Sequence, residues 1–223
     1  MPNLEKMADF FAARVQGYDE HMLKNVQGCR EGYTEMTKRL PDGIESLLDL
    51  GCGTGLELDE IFKRFPTLRV TGIDLTSEML DELHRKHPDK DLTLICDDYF
   101  TADFTGAPFD AVVSFESLHH FTKEKKQALY QRIFDALMPD GIYIECDYMA
   151  KDDAEEDALF AECARLRREQ GLDPEAFYHF DTPCTVENQK KMLNGVGFAH
   201  VDEIFRIGGT VMLVAYKHTP HPT

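Results

Sequence analysis

Positive charge is scarce in this sequence: 24 Lys and Arg stand against 41 Asp and Glu, a formal net charge of −17. Such a surface repels phosphate backbones and anionic lipid, which argues against bulk nucleic acid or a membrane surface as partner. The short Arg165-Leu166-Arg167-Arg168 run lies between acidic segments and reads as a helix face. Paired cysteines are also lacking. Cys29, Cys52, Cys96, Cys146, Cys163 and Cys184 are scattered, with no CxxC pair and no Cys/His ligand spacing. That pattern fits reduced thiols rather than a disulfide framework or structural zinc, and no metal site is expected. No stretch approaches the roughly 20 apolar residues of a membrane span. The opening Met1-Pro2-Asn3-Leu4-Glu5-Lys6 has neither signal-peptide nor transit character, so a cytoplasmic protein is expected. Repeats and low-complexity tracts are absent.

What is present is an ordinary hydrophobic fraction, 43%, on 223 residues, enough for one generous domain and short for two. Short apolar runs alternate with longer helical patterns, the signature of βαβ units and a mostly parallel sheet. Ser46–Gly51, Arg69–Asp74, Leu92–Asp97, Phe109–Phe115 and Gly141–Asp147 read as strands. Helices are expected at Leu56–Phe65, Thr76–Lys86 and Lys123–Leu137, with Pro139-Asp140-Gly141 turning into the fifth strand. Val201–Ile207 and Val211–Lys217 flank Gly208-Gly209 as a hairpin. Residues 1–40 form an amphipathic helical cap and residues 150–183 a helical lid insertion, both candidates to cover the carboxyl ends of the strands.

Leu47-Leu48-Asp49-Leu50-Gly51-Cys52-Gly53-Thr54-Gly55 is a strand running into a glycine-rich turn and then a helix. Without Cβ atoms, such a turn brings backbone N–H groups and a helix N-terminus within reach of a ligand. Its Gly-x-Gly-x-Gly spacing differs from the Gly-x-Gly-x-x-Gly that cradles a pyrophosphate. A carboxylate at Asp49 would repel a pyrophosphate and suits a cation. Val70-Thr71-Gly72-Ile73-Asp74 ends the second strand in an acid able to accept both hydroxyls of a ribose. Leu94-Ile95-Cys96-Asp97-Asp98-Tyr99 ends the third in paired carboxylates, one of them expected to be solvated. The fourth strand runs into Phe115-Glu116-Ser117-Leu118-His119-His120, a polar cluster where a reactive group would sit.

These four elements, in this order, resemble the class I S-adenosylmethionine-dependent methyltransferases, in particular the small-molecule, type 11/12-like group with an LDLGCGTG motif. The resemblance runs from about Ser46 to Gly141 and on to the terminal hairpin. It implies a doubly wound, Rossmann-like α/β fold with a seven-stranded, mostly parallel sheet closed by an antiparallel hairpin. It implies S-adenosylmethionine as cofactor and S-adenosylhomocysteine as product. Gly51, Cys52, Gly53 and Gly55 with Asp49 would form the cofactor loop, and Asp74 would hold the ribose, beside Leu75 and Met79. Asp97 would meet the adenine while its backbone neighbour reads the ring, and Asp98, Tyr99 and Phe115 join the expected cofactor-binding residues. Tyr18 of the N-terminal segment reads either as closing over the methionine end or as an amphipathic core residue.

Methyl transfer from a sulfonium is an in-line displacement whose chemistry the cofactor carries, so the protein must mainly hold donor and acceptor in line. Glu116 and His119 are the expected catalytic residues, with Tyr148, Tyr178 and His179 also considered. His120 and the Phe177–Phe180 cluster read as packing. A small-molecule methyl acceptor is the expected partner, with room for a homodimer. Two other classes stay open: a sulfonium-binding protein without turnover, and a nucleotide-dependent oxidoreductase, which the glycine spacing disfavours. Ser114-Phe115-Glu116-Ser117 stands where amide and base N-methylating types carry an Asn-Pro-Pro-Tyr-type run.

Overall fold

The computed structural model describes residues 3–218 apart from 105 and 107, so Met1 and Pro2 of the expected cap lie outside it. Seven strands form one sheet in the order β3-β2-β1-β4-β5-β7-β6. They are β1 (Ser46–Leu50), β2 (Arg69–Asp74), β3 (Leu92–Cys96), β4 (Phe109–Phe115), β5 (Leu137–Tyr148), β6 (His200–Ile207) and β7 (Thr210–Tyr216). The first five run parallel, and β7 is antiparallel to both β5 and β6. The strand order reverses between β1 and β4, which opens a crevice at their carboxyl ends.

Successive side chains on a strand point to opposite faces, and here both faces are buried. Leu48, Val112, Tyr143 and Leu213 face one core layer, completed by Leu129, Tyr130 and Ile133 of α6 (Lys123–Ala136) and Leu193 of α8 (Val186–Gly195). Leu47, Ala111, Val113, Ile144 and Val214 face the other layer. It is completed by Met36 of α3 (Cys29–Arg39), Leu58 and Ile61 of α4 (Leu56–Arg64) and Leu83 of α5 (Ser77–Lys86). This double burial is why the strands read as continuous apolar runs. Among the described residues, no helix is long and apolar enough to cross a membrane.

Two local details differ from the sequence reading. Pro139-Asp140-Gly141 lies inside β5, not before it: the pairing passes from Phe109↔Leu137 to Ala111↔Ile142, so the turn residues form an irregularity within one long strand. The N-terminal helical region is broken into α1 (Met7–Ala12), α2 (Tyr18–Asn25) and α3. Gly17 (φ +91°) and Gly28 (φ +88°) make the breaks, in a left-handed conformation that glycine adopts without steric cost.

Beyond β5, α7 (Asp153–Glu169) leads into an irregular stretch that meets the N-terminus. Lys6 and Tyr178 form an antiparallel bridge, the Met7 N–H donates to the Phe177 carbonyl (3.0 Å), and the His179 N–H donates to the Glu5 carbonyl (3.0 Å). The two segments outside the βαβ pattern are therefore stitched to each other over the crevice.

Candidate active site

The glycine loop is built from β1 and held by β2. The N–H groups of Gly51 and Cys52 both donate to the Ile73 carbonyl (2.8 and 3.2 Å), which ties the turn to the neighbouring strand. The Cys52 side chain is buried and packs against Gly72, so only its backbone belongs to the loop surface. At Gly55 (φ +72°) a Cβ would fall 2.4 Å from Leu83 Cδ1 of α5, so a side chain there would displace Leu83 and strain the turn. At Gly53 (φ +48°) a Cβ would point instead into the cleft, where its nearest neighbour is Tyr18 Cε1 at 3.9 Å.

Asp74 accepts the Gly53 N–H through Oδ2 and the Thr76 N–H through Oδ1, both at 2.9 Å. Burial raises its carboxyl above the ordinary value, and these two hydrogen bonds oppose the shift. A carboxylate has about four lone-pair sites, so two remain for further donors. Tyr18 is positioned by its neighbour Asp19, which accepts from Thr54 Oγ1 (2.5 Å) and pairs with Lys86 (3.2 Å).

Tyr18, Gly51, Gly53, Asp74, Leu75, Met79, Tyr99, Phe115 and Glu116 all line one narrow cleft with about 50 Å³ of free space. Met7 and Phe11 of the cap line it too, and neither was picked out from sequence. Asp49 stands one layer behind the loop. It is fully buried, and neither of its oxygens has a hydrogen-bond partner. Burial, then repulsion from Glu57, pushes its carboxyl well up, while burial carries Glu57 to about 7. Asp97 is exposed and accepts the Asp98 N–H (2.7 Å); Asp98 is half-buried and accepts the Phe100 N–H (2.8 Å).

Glu116 has φ +46°, among the described residues the only non-glycine at positive φ, a strain of roughly 1–2 kcal/mol. That backbone aims its side chain into the junction between the cleft and a second cavity of about 690 Å³. Glu116 Oε1 lies 2.9 Å from Thr210 Oγ1, which itself lies 2.8 Å from the Gln27 carbonyl. Burial raises the Glu116 carboxyl to about 7, against the pull of His119 and with repulsion from Asp147 and Asp181.

His119 is buried and caught between acids. Its Nδ1 is 2.5 Å from Asp147 Oδ1 and 3.6 Å from Glu116 Oε2, and its Nε2 is 3.6 Å from Asp181 Oδ1. Burial disfavours its charge, yet Asp147 above all, with Glu116 and Asp181, lifts its pKa to about 9. Asp147 is held in turn by the N–H groups of Leu118 (3.1 Å) and Tyr148 (3.0 Å). The adjacent His120 goes the other way: burial and the neighbouring His119 lower it to about 4. Asp181 is brought down to about 2 by His120 and His119 despite its burial. Tyr148 and His179 line the larger cavity, whereas Tyr178 faces a separate pocket beneath α7.

The sequence profile described as "Methyltransferase domain" matches residues 47–141, the span from the glycine loop to β5. That segment is similar to S-adenosylmethionine-dependent methyltransferase domains, and so are relatives of the chain. The chain is 26% identical to a carboxy-S-adenosyl-L-methionine synthase of a Nitratiruptor species, covering 96% of this chain and 95% of that one. It is also 26% identical to a phosphoethanolamine N-methyltransferase of Plasmodium falciparum, over 70% of this chain and 61% of the other. The solved structure of DhpI in complex with SAH superposes with a TM-score of 0.68 at 19% identity, covering 97% of this chain and 96% of that one, a likeness of fold.

Proposed function

We propose that the protein moves the methyl group of S-adenosylmethionine to a small molecule held in the cavity of about 690 Å³. The observation that carries this reading is the position of Glu116, which lines both that cavity and the narrow cleft. The cofactor supplies the electrophilic methyl group. Gly51, Gly53 and Gly55 shape the loop, and Gly53 fits a ligand because its open side faces the cleft. Asp74 offers its remaining lone pairs to the ribose, with Leu75, Met79, Tyr99 and Phe115 as apolar walls and Asp97 and Asp98 near the adenine. Tyr18 covers the methionine end. Residues 1–40 serve as cap and residues 150–183 as lid of a single domain. The six free cysteines support a reducing, cytoplasmic setting.

Glu116 is the group suited to take a proton from the acceptor, since a carboxyl near 7 can exchange protons at neutral pH. The geometry accommodates the acid form. Thr210 has one hydroxyl proton and two acceptors within 3 Å, so a protonated Glu116 can donate to Thr210 while Thr210 donates to Gln27. His119, with a pKa of about 9, stays protonated at neutral pH; it serves as a fixed positive charge that holds Glu116 and Asp181 in place.

A second reading is favoured by the 96% coverage in the match to a carboxy-S-adenosyl-L-methionine synthase. A carboxylated cofactor would bring a further anion to a wall already holding Glu116, Asp147 and Asp181, which weighs against it. Calorimetric titration with S-adenosylmethionine, S-adenosylhomocysteine and NADH tests the cofactor. Binding of the first two alone is expected, and affinity for NADH alone would overturn the reading. The mass of any sulfonium that co-purifies separates methyl donor from carboxylated cofactor.

A further inference from the structure

The cavity beside Glu116 combines aromatic walls with net negative charge, because three carboxylates, Glu116, Asp147 and Asp181, surround the single His119 imidazolium. Phe10, Phe11, Tyr18 and Tyr148 supply ring surface, and Glu116 and Asp181 supply carboxylates. Among the described lining residues Arg14 is the one guanidinium, and it is already engaged. It pairs with Glu5 (3.3 Å), donates to the Phe10 carbonyl (2.8 Å) and lies over the Phe10 ring at 3.6 Å. The His119 imidazole faces acids on both nitrogens, Asp147 on one side and Asp181 on the other. His179 is stacked on Phe10 at 3.6 Å. His21 also lines the cavity, its Nδ1 3.2 Å from Asn25 Nδ2. An acceptor bearing a carboxylate or phosphate would meet net repulsion from the acids beside Glu116. A cation would meet two carboxylates and several ring faces, the surroundings that bind ammonium groups.

We propose that the methyl acceptor is an amine, which enters as its ammonium between Glu116 and Asp181 against the aromatic wall. This rests on the methyl-transfer reading above. The ammonium gives one proton to the Glu116 carboxylate. The freed nitrogen lone pair then forms the N–CH₃ bond as the S–CH₃ bond breaks, and that bond pair stays on sulfur. The products are an N-methylammonium, neutral S-adenosylhomocysteine and protonated Glu116, so charge and atoms balance. Asp181 keeps an anion beside the nitrogen throughout, and the aromatic faces accept the more alkylated cation.

The test measures binding in the presence of saturating S-adenosylhomocysteine. The ligands are primary amines, each paired with the alcohol and the carboxylate on the same scaffold: benzyl, phenethyl, indolylethyl and short alkyl. Every solution contains EDTA. At least one amine is expected to bind at least about tenfold more tightly than its alcohol, with its carboxylate weaker still. Asp181→Asn, which lies outside the cofactor cleft, is expected to remove most of that preference while leaving S-adenosylhomocysteine binding intact, a check that the variant folds. With S-adenosylmethionine, the preferred amine should gain one methyl group by mass. Amines no tighter than their alcohols on every scaffold, or a preference unchanged in Asp181→Asn, would overturn the proposal. So would ligand binding that appears only when a divalent cation replaces EDTA, because the ligand atoms of His119, His120 and Asp181 lie within 4.8 Å of one another and a metal would then own those acids. Loss of S-adenosylhomocysteine binding in the unmodified chain would instead remove the methyl-transfer reading itself.

Discussion

His119 Nδ1 and Asp147 Oδ1 meet at 2.5 Å, joining the short 3₁₀ turn after β4 to the end of β5 beneath the larger cavity. Asp147 is buried, and two backbone N–H groups fix its orientation, so the pair is a preformed ionic contact. The imidazole's tautomer and charge follow from this single neighbour more than from any other.

The first prediction concerns that charge. A basic group whose pKa is raised in the folded state binds more protons there than in the unfolded chain. The stability it contributes is present below its ordinary value near 6.5 and is lost as pH rises through about 9. His119 faces Glu116, Asp147 and Asp181, and its ring touches His120. Titration of the His119 ring by NMR should give a midpoint near 9, falling toward the ordinary range in Asp147→Asn. A midpoint of 6–7 in the unmodified protein would mean the acids do not act on this ring.

Glu116→Gln removes the proposed proton acceptor at the junction while keeping the side chain's size. The rate of transfer to an acceptor that must lose a proton should fall by about 10²–10⁴-fold, with S-adenosylmethionine affinity changed only slightly. The acidic limb of the pH–rate profile, expected near 7 in the unmodified enzyme, should vanish with it. A variant that keeps both the rate and that limb would assign proton transfer elsewhere.

Asp74→Ala should weaken S-adenosylmethionine by about 1–3 kcal/mol, the scale of a lost hydrogen bond to a charged acceptor. Its carboxylate also ties down Gly53, so part of the loss comes through a loosened loop. Calorimetry separates the two contributions: adenosine, which carries the ribose without the methionine arm, should lose a comparable amount. An unchanged dissociation constant would mean that the ribose is held by another group.

Gly53→Val should abolish cofactor binding and also cost some stability through backbone strain. The backbone there is left-handed, and the added side chain would project into the cleft beside Tyr18. Gly55→Ala should act chiefly on stability, since its Cβ would strike Leu83 of α5 and the backbone there is left-handed. A lowered melting temperature is expected for Gly55→Ala, and a lost affinity for Gly53→Val.

The sheet was legible because parallel strands covered on both faces leave continuous apolar runs, as at Leu47-Leu48 and Ala111-Val112-Val113. The glycine loop and Asp74 were legible for a related reason: they sit on consecutive strands, so sequence order is also spatial order. Asp147, Asp181 and Thr210 were not. Each reaches Glu116 or His119 from an element distant in sequence, and no local pattern encodes that meeting. Asp147 could have been noticed as an acid ending an apolar strand, the same cue that marked Asp74. Asp49 shows the opposite case, a motif residue whose carboxylate lies behind the loop, buried against Glu57. The breaks at Gly17 and Gly28 were missed because the amphipathic period continues across them.

The bridge between Lys6 and Tyr178 ties the N-terminal segment to the stretch after α7. Helix α1 is a party wall between two rooms: Phe11 lines the narrow cleft and the larger cavity alike. On the reading proposed above, a cofactor in the cleft and an acceptor in the cavity would share that wall. Any outward swing of α1 would pull on the strap at 177–179 and open both rooms together.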